Sequence, residues 1–380
     1  MRILYGVHGY GRGHATRSLA ILEDLVKQHQ VLVLAGGDAY AAMSSNYHVV
    51  RIPTLGFAYG ARSGQRSNWQ TFRRNFSAII DLCWCGPVCD MVADQFAEFG
   101  PDVVISDAEP FTHHVAARLK VPRIGIDHIG ILAHCRPVIE WRDRLEAAFD
   151  SAAYRLLVGN PDRVIVSSFY DAVPRRPGVC VVGTMPRHEL FTQTPRDEGF
   201  LLAYFNKGKH QLSSRVCNTL SSCGLPVRIY GTDTIGRQGA LDFRPLSSLP
   251  FLEDLAGCRA VISTAGNQLM GEALYMNKPV LVMPERCVEQ RMNALAVERM
   301  GIGMRLSLRR SNPAALRRFL DRAGEFAART RGQFRDGRSQ ALAAIERFMQ
   351  ELVPTARVAP STHRDSAPSQ TSLTDERSAR

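Results

Sequence analysis

Nowhere in its 380 positions does the sequence hold a run of about 18 uncharged apolar residues, which argues against a membrane-spanning helix. Its amino end, MRILYGVHGYGRGH, lacks the basic n-region, long apolar h-region and small-residue cleavage site of a secretory signal. Cysteine occurs nine times, yet never in the CxxC or Cys/His pairs that hold zinc. Cys83, Cys85 and Cys89 stand in a CxCx3C run with no second cluster after it, so no metal is expected. Reduced, mostly structural thiols suit a cytoplasmic protein. Acidic residues are missing altogether from Arg51 to Ile80.

That gap coincides with an excess of base. The formal net charge is +11 and the pI about 9.4, which points to anionic partners. Inside the gap, Arg51, Arg62, Arg66, Arg73 and Arg74 alternate with Phe57, Tyr59, Trp69, Phe72 and Phe76. Arginine interleaved with aromatics suits phospholipid headgroups or a lipid-phosphate acceptor. A solvated loop is the plain alternative. The usual nucleic-acid-binding signatures are missing. The expectation is therefore a cytoplasmic chain with a peripheral place on the cytoplasmic membrane face.

Composition and order describe two globular units. Hydrophobic residues make up 45% and charged residues 22%, and the length suits two domains of about 150–200 residues. Strand-like runs at Ile3–Val7, Val31–Ala35, Val49–Ile52, Val103–Ser106, Arg123–Asp127, Val164–Val166 and Val179–Val182 are interspersed with helical patterns such as Ala15–Lys27 and Phe111–Leu119. A second series runs through Phe200–Phe205, Pro226–Tyr230, Ala260–Ser263 and Pro279–Met283. Strands alternating with helices predict α/β architecture: two Rossmann-like, doubly wound parallel sheets facing a cleft. The expected domains are 1–185 and 197–353, joined by a linker at 186–196, with a disordered Ser/Thr/Pro/Arg-rich tail at 354–380. The Arg-rich helical stretch Arg317–Leu352 is expected to pack across both domains.

The first strand opens into His8-Gly9-Tyr10-Gly11-Arg12-Gly13-His14. Gly11, Arg12 and Gly13 would bring backbone amides to an anion or an acceptor at a helix N-terminus. A dinucleotide fingerprint needs GxGxxG, and His14 stands where its last glycine belongs. Asp38 could in principle hold a ribose in such a reading. A histidine at the first turn of a helix beside a cleft is instead placed as a general base, with Asp107 or Glu109 near enough to orient it. A hydrogen-bonded structural histidine is the alternative.

The second informative stretch runs from Phe251 to Asn293. Thr264-Ala265-Gly266 follows a strand, a helix begins at Asn267, and Glu272 lies six residues beyond Gly266. Free amides at Gly266, Asn267 and Gln268 would offer a positive helix N-terminus to a diphosphate. Glu272, one to two turns on, could accept both hydroxyls of a ribose. Glu289 and Gln290 head the next helix, where a sugar would hang into the cleft. A plain βαβ unit with charged helix positions would account for the same residues individually.

Taken together, STAGNQLMGEALYMNKPVLVMPERCVEQRMNA resembles the donor-binding region of family 28 glycosyltransferases, and GYGRGHATRS looks like their glycine-rich loop ending in GH. The resemblance covers roughly residues 1–350. It implies a GT-B fold, a UDP-sugar as co-substrate, no cofactor or metal, and inversion at the anomeric carbon. It puts Gly266 on the diphosphate loop, Glu272 on the ribose-binding glutamate, Glu289 and Gln290 on the pair reading sugar hydroxyls, Phe251 and Leu252 beside the uracil, and His14 on the GH histidine. Two departures stand out. Phe205-Asn206-Lys207-Gly208-Lys209 replaces a Gly-Gly-Ser type of turn, and the proline that follows GH in many relatives is missing. A UDP-sugar 2-epimerase-like isomerase and a catalytically silent nucleotide-sugar-binding protein share the fold, so fold alone does not choose between them.

Overall fold

The structure is a computed structural model, and it describes residues 1–59, 67–206 and 208–353. Arg62, Arg66, Lys207 and the expected disordered tail lie outside these residues.

The first sheet takes strands β1 (Arg2–Val7), β2 (Gln30–Ala35), β3 (Val49–Arg51), β4 (Val103–Asp107), β5 (Arg123–Asp127), β6 (Arg163–Ser167) and β7 (Val179–Val182) in the order β3-β2-β1-β4-β5-β6-β7, all parallel. Helices α1 (Arg12–Gln28), α2 (Gly37–Met43), α3 (Asn68–Trp84), α4 (Pro87–Phe99), α5 (Pro110–Arg118) and α6 (Arg144–Val158) cover its two faces. Near-continuous Val, Ile and Leu in β1, β4 and β6 follow from burial on both faces.

The second sheet comprises β8 (Leu201–Tyr204), β9 (Val227–Tyr230), β10 (Gly236–Gln238), β11 (Leu241–Phe243), β12 (Ala260–Ser263), β13 (Val280–Val282) and β14 (Gly303–Arg305) in the order β10-β11-β9-β8-β12-β13-β14. Within this sheet only the edge strand β10 is antiparallel among the described strands. Its helices are α7 (Ser214–Ser221), α8 (Ser248–Gly257), α9 (Asn267–Tyr275), α10 (Val288–Met300), α11 (Pro313–Asp321) and α12 (Ala323–Thr330). Both sheets reverse their strand order beside the first strand, between β1 and β4 and between β8 and β12. Loops at the carboxyl ends of those strands border the natural ligand crevice of such sheets.

The last helix among the described residues, α13 (Gly337–Leu352), leaves the second sheet. Its Ala341, Ala344, Ile345, Phe348 and Met349 are buried in the core formed by β1, β4, β5 and α1 of the first domain. Residues 197–353 are therefore not one unit: α11 and α12 pack on the second sheet, and α13 returns to the first. The outgoing and returning chains meet where Thr184 and Asp336 pair, with Gly337 N–H donating to Thr184 O at 3.0 Å. Gly337 is needed there, because a Cβ would lie 1.9 Å from the Gly183 carbonyl oxygen.

Candidate active site

Loops at both switch points line one cleft of about 770 Å³ between the domains. On the first domain, Gly11 adopts φ +89°, a conformation that strains any side-chain-bearing residue. Its N–H donates to Asp38 Oδ2 at 3.0 Å. Asp38 thus braces the glycine loop. No side chain caps α1 at Gly11, so the first-turn amides of Arg12, Gly13 and His14 head toward the cleft.

His14 is brought to Asp107 by strand register. β4 lies beside β1, and His8 N–H donates to the Asp107 carbonyl at 3.0 Å. The Asp107 side chain then faces α1 and meets His14 Nδ1 at 2.6 Å. Its two oxygens also accept from Arg17 Nη2 at 2.6 Å, Arg17 Nε at 2.8 Å and Ser18 Oγ at 3.1 Å. Burial would raise this fully buried carboxyl, but the Arg17 guanidinium and His14 outweigh it and hold it at about 2. An ionised carboxylate facing Nδ1 favours the tautomer with its proton there, and Arg17 Nη2 also lies 3.0 Å from that nitrogen. Beside it, burial above all pushes His8 down to about 3, so His8 stays neutral. Glu109 does not join the pair. It caps α5, accepting from Phe111 N–H at 3.1 Å and Thr112 N–H at 2.7 Å, and burial raises it to about 7 despite those amides.

On the second domain, Ala265 takes φ +66° and turns the chain into α9, whose N-cap Gly266 has no side-chain partner. The Asn267 side chain reaches the other domain. It accepts from Phe169 N–H at 3.1 Å and donates to Ser167 O at 3.2 Å. Gln268 Nε2 donates to Met185 O at 2.9 Å and sits 3.4 Å from Glu272 Oε1. With both side chains engaged, these two residues leave their backbone amides at the start of α9. Glu272 is buried in the cleft wall with Arg187 Nη2 at 3.5 Å. Glu289 and Gln290 both line the cleft, although Gln290 Oε1 is taken by Glu285 N–H at 2.8 Å.

Phe251 and Leu252 separate. Phe251 on α8 lines the cleft, edge-on to Tyr204 and Tyr230. Leu252, the next residue on the same helix, turns away from the cleft into the core with zero exposure. It is a packing residue and does not border a base. Asn206, from the unusual first loop of this domain, also faces the cleft.

Three further residues belong to the site. Arg17 stands one turn after His14, a spacing readable from GHATR. Arg187 sits in a stretch read only as a linker, and its Nε is buried without a partner. His128 follows β5 and lies in the cleft wall; nothing in its local sequence distinguishes it. Among the described residues no three His, Cys, Asp or Glu side chains converge as metal ligands.

Outside the cleft, α3 turns Trp69, Phe72, Phe76, Ile80 and Trp84 to the surface at helical spacing, with Trp69 71% and Trp84 76% exposed. Arg73 and Arg74 are exposed on the same helix. No single helix among the described residues is long and apolar enough to cross a membrane.

Residues 1–323 match the family model described as glycosyl transferase family 1. The chain belongs to that family. It is thus a glycosyltransferase of the GT-B superfamily. Similar solved structures include the glycosyltransferase of kitacinnamycin, at TM-score 0.68 and 17% identity over 93% of this chain and 99% of that one. MurG of Acinetobacter baumannii gives 0.57 and 14% over 91% and 99%. The glycosyltransferase VinC in complex with dTDP gives 0.58 and 14% over 93% and 99%. No curated protein matches the chain. Two seven-stranded sheets in a glycosyltransferase confirm the expected fold class.

Proposed function

We propose that this glycosyltransferase moves a sugar from a nucleoside-diphosphate sugar, a UDP-sugar in the first instance, to an acceptor hydroxyl, with inversion and without a metal. The single observation that carries the reading is the His14–Asp107 pair at 2.6 Å, set in the same cleft as Glu272 and the open N-terminus of α9. An alcohol is a poor nucleophile until a base is in reach. His14 Nε2 takes the hydroxyl proton while the oxygen attacks the anomeric carbon. The bond to the nucleoside diphosphate breaks on the opposite face, which inverts the centre. Negative charge grows on the departing phosphate, and the α9 amides and Arg187 are placed to stabilise it without a bridging cation. Glu272 holds the ribose.

The acceptor side of this reading is a lipid-linked or other hydrophobic alcohol presented at an anionic membrane. The exposed aromatic face of α3, with Arg73 and Arg74 beside it, supports that part: aromatic side chains seat at the headgroup level and arginines meet phosphate. The deciding experiment is His14→Ala assayed for transfer and, in parallel, for UDP binding by calorimetry. The reading expects transfer to collapse while UDP binding stays. Near-wild-type transfer overturns it.

A further inference from the structure

His128 and Asn293 form a contact between the domains whose hydrogen bonds can be counted. His128 is buried, at 3% exposure. Its Nδ1 lies 2.7 Å from the Ser167 carbonyl oxygen, which can only accept. Its Nε2 lies 3.0 Å from Asn293 Oδ1. The Asn293 amide is oriented independently, because Nδ2 donates to the Ala265 carbonyl at 2.9 Å and the Tyr170 hydroxyl donates to Oδ1 at 3.2 Å. Turning the amide over would set its oxygen against the Ala265 carbonyl. With one ring proton, one of these buried contacts therefore becomes a lone pair facing a lone pair. Every group is satisfied only when both ring nitrogens carry hydrogen.

The surroundings suit a cation. Glu289 on α10 brings Oε1 to 3.8 Å from Nε2. Tyr170, 6.3 Å away ring to ring and perpendicular, is held protonated by burial and by Glu289. Asp127, the preceding residue, is spent on the Gly130 N–H and the Tyr154 hydroxyl. His14 lies on the wall of the same cleft.

Ala265 is the residue whose left-handed turn aims α9 at the cleft. We propose that His128, protonated on both nitrogens, is a positioning residue: from the first domain it orients Asn293, which in turn fixes the Ala265–Gly266 turn of the second. The donor site is then complete only when the domains are together. This rests on the reading of that turn as the donor's phosphate site.

The test uses the full chain with ¹⁵N-labelled histidine and the variants His128→Gln, which also assigns the resonance, and Asn293→Asp. At pH 7.5 the His128 ring is expected to show two nitrogen-bound protons; a single protonated nitrogen overturns the proposal. Calorimetry with UDP-glucose, whose diphosphate diester has no proton to lose between pH 6 and 9, gives the second readout. Wild-type affinity should fall about five- to tenfold across that range, the worth of one hydrogen bond, and His128→Gln should be flat. Equal slopes in both overturn it. Asn293→Asp keeps an acceptor for His128 but loses the donor to Ala265, so it should bind more weakly with the two ring protons kept; unchanged affinity overturns the link through Asn293. No binding of UDP-glucose by any form would sink the UDP-sugar reading, and the ring spectrum would still decide the protonation of His128.

Discussion

α1 and α9 occupy equivalent places. Each begins at the switch point of a parallel sheet, each has glycine at its N-cap, and each turns an open helix end to the same cleft. They differ in what stands behind the first turn. Behind α1 lies a fully buried carboxylate that grips a histidine and an arginine from that helix. Behind α9 the Asn267 and Gln268 side chains reach into the other domain, and the turn offers mainly its backbone. On the proposed reading one scaffold supports two chemistries: a side chain that handles a proton, and a peptide surface that handles negative charge.

The sharpest way to break this comparison is His14→Ala. Loss of a general base slows the chemical step by about 10²–10⁴-fold. Steady-state transfer should fall by that factor while UDP affinity, measured on the same sample, stays within about twofold of wild type. Joint loss of both would mean that the two helix ends do not divide the work.

Asp107 tests the buried half of the α1 device through stability. Its folded pKa, about 2, lies below the ordinary 3.8. The carboxylate therefore stabilises the fold above about pH 4, and that contribution, about 2 kcal/mol, disappears as pH falls from about 4 to about 2. Asp107→Asn should be less stable at pH 7 in urea unfolding and should lose less than wild type on going to pH 2.5. A parallel acid dependence in both proteins would show that the pairing with Arg17 and His14 is energetically idle.

On the α9 side, Glu272→Ala removes a carboxylate expected to accept two ribose hydroxyls. UDP should bind more weakly by about 1.5–3 kcal/mol, read by calorimetry. Unchanged affinity would remove the ribose role and leave Glu272 as the partner of Arg187.

The smallest effect concerns the outer face of the first domain. Arg73→Glu with Arg74→Glu should weaken binding to vesicles containing anionic lipid by about 1 kcal/mol for each arginine lost. Flotation at rising salt provides the measurement. Equal binding of wild type to neutral and anionic vesicles would rule out an electrostatic contact there.

Much of this was legible in the residues, for stated reasons. The parallel strands are short β-branched runs between helical periods, and the observed β1, β5 and β12 agree closely with the runs at Ile3–Val7, Arg123–Asp127 and Ala260–Ser263. His14 and Asp107 could be paired in advance because both follow neighbouring strands of a doubly wound sheet. Leu252 could not be separated from Phe251, since adjacent helix positions point about 100° apart and the sequence does not say which one faces the cleft. Arg187 and His128 were hidden for another reason. Their significance arises from partners on other segments, Glu272 at 85 positions' distance and Asn293 at 165. The destination of α13 was half visible: its Arg-rich surface and apolar stripe indicate a packed helix, while the sheet it joins depends on the path of the chain.

That path has a consequence for how the protein is made. The first domain is synthesised early, yet its sheet is left with one flank open until Ala341, Ile345, Phe348 and Met349 emerge. Burial of each large side chain of this kind contributes about 1.5–3 kcal/mol. A nascent chain that has completed the second sheet therefore still carries an unfinished first one, and α13 supplies the missing part of that earlier core.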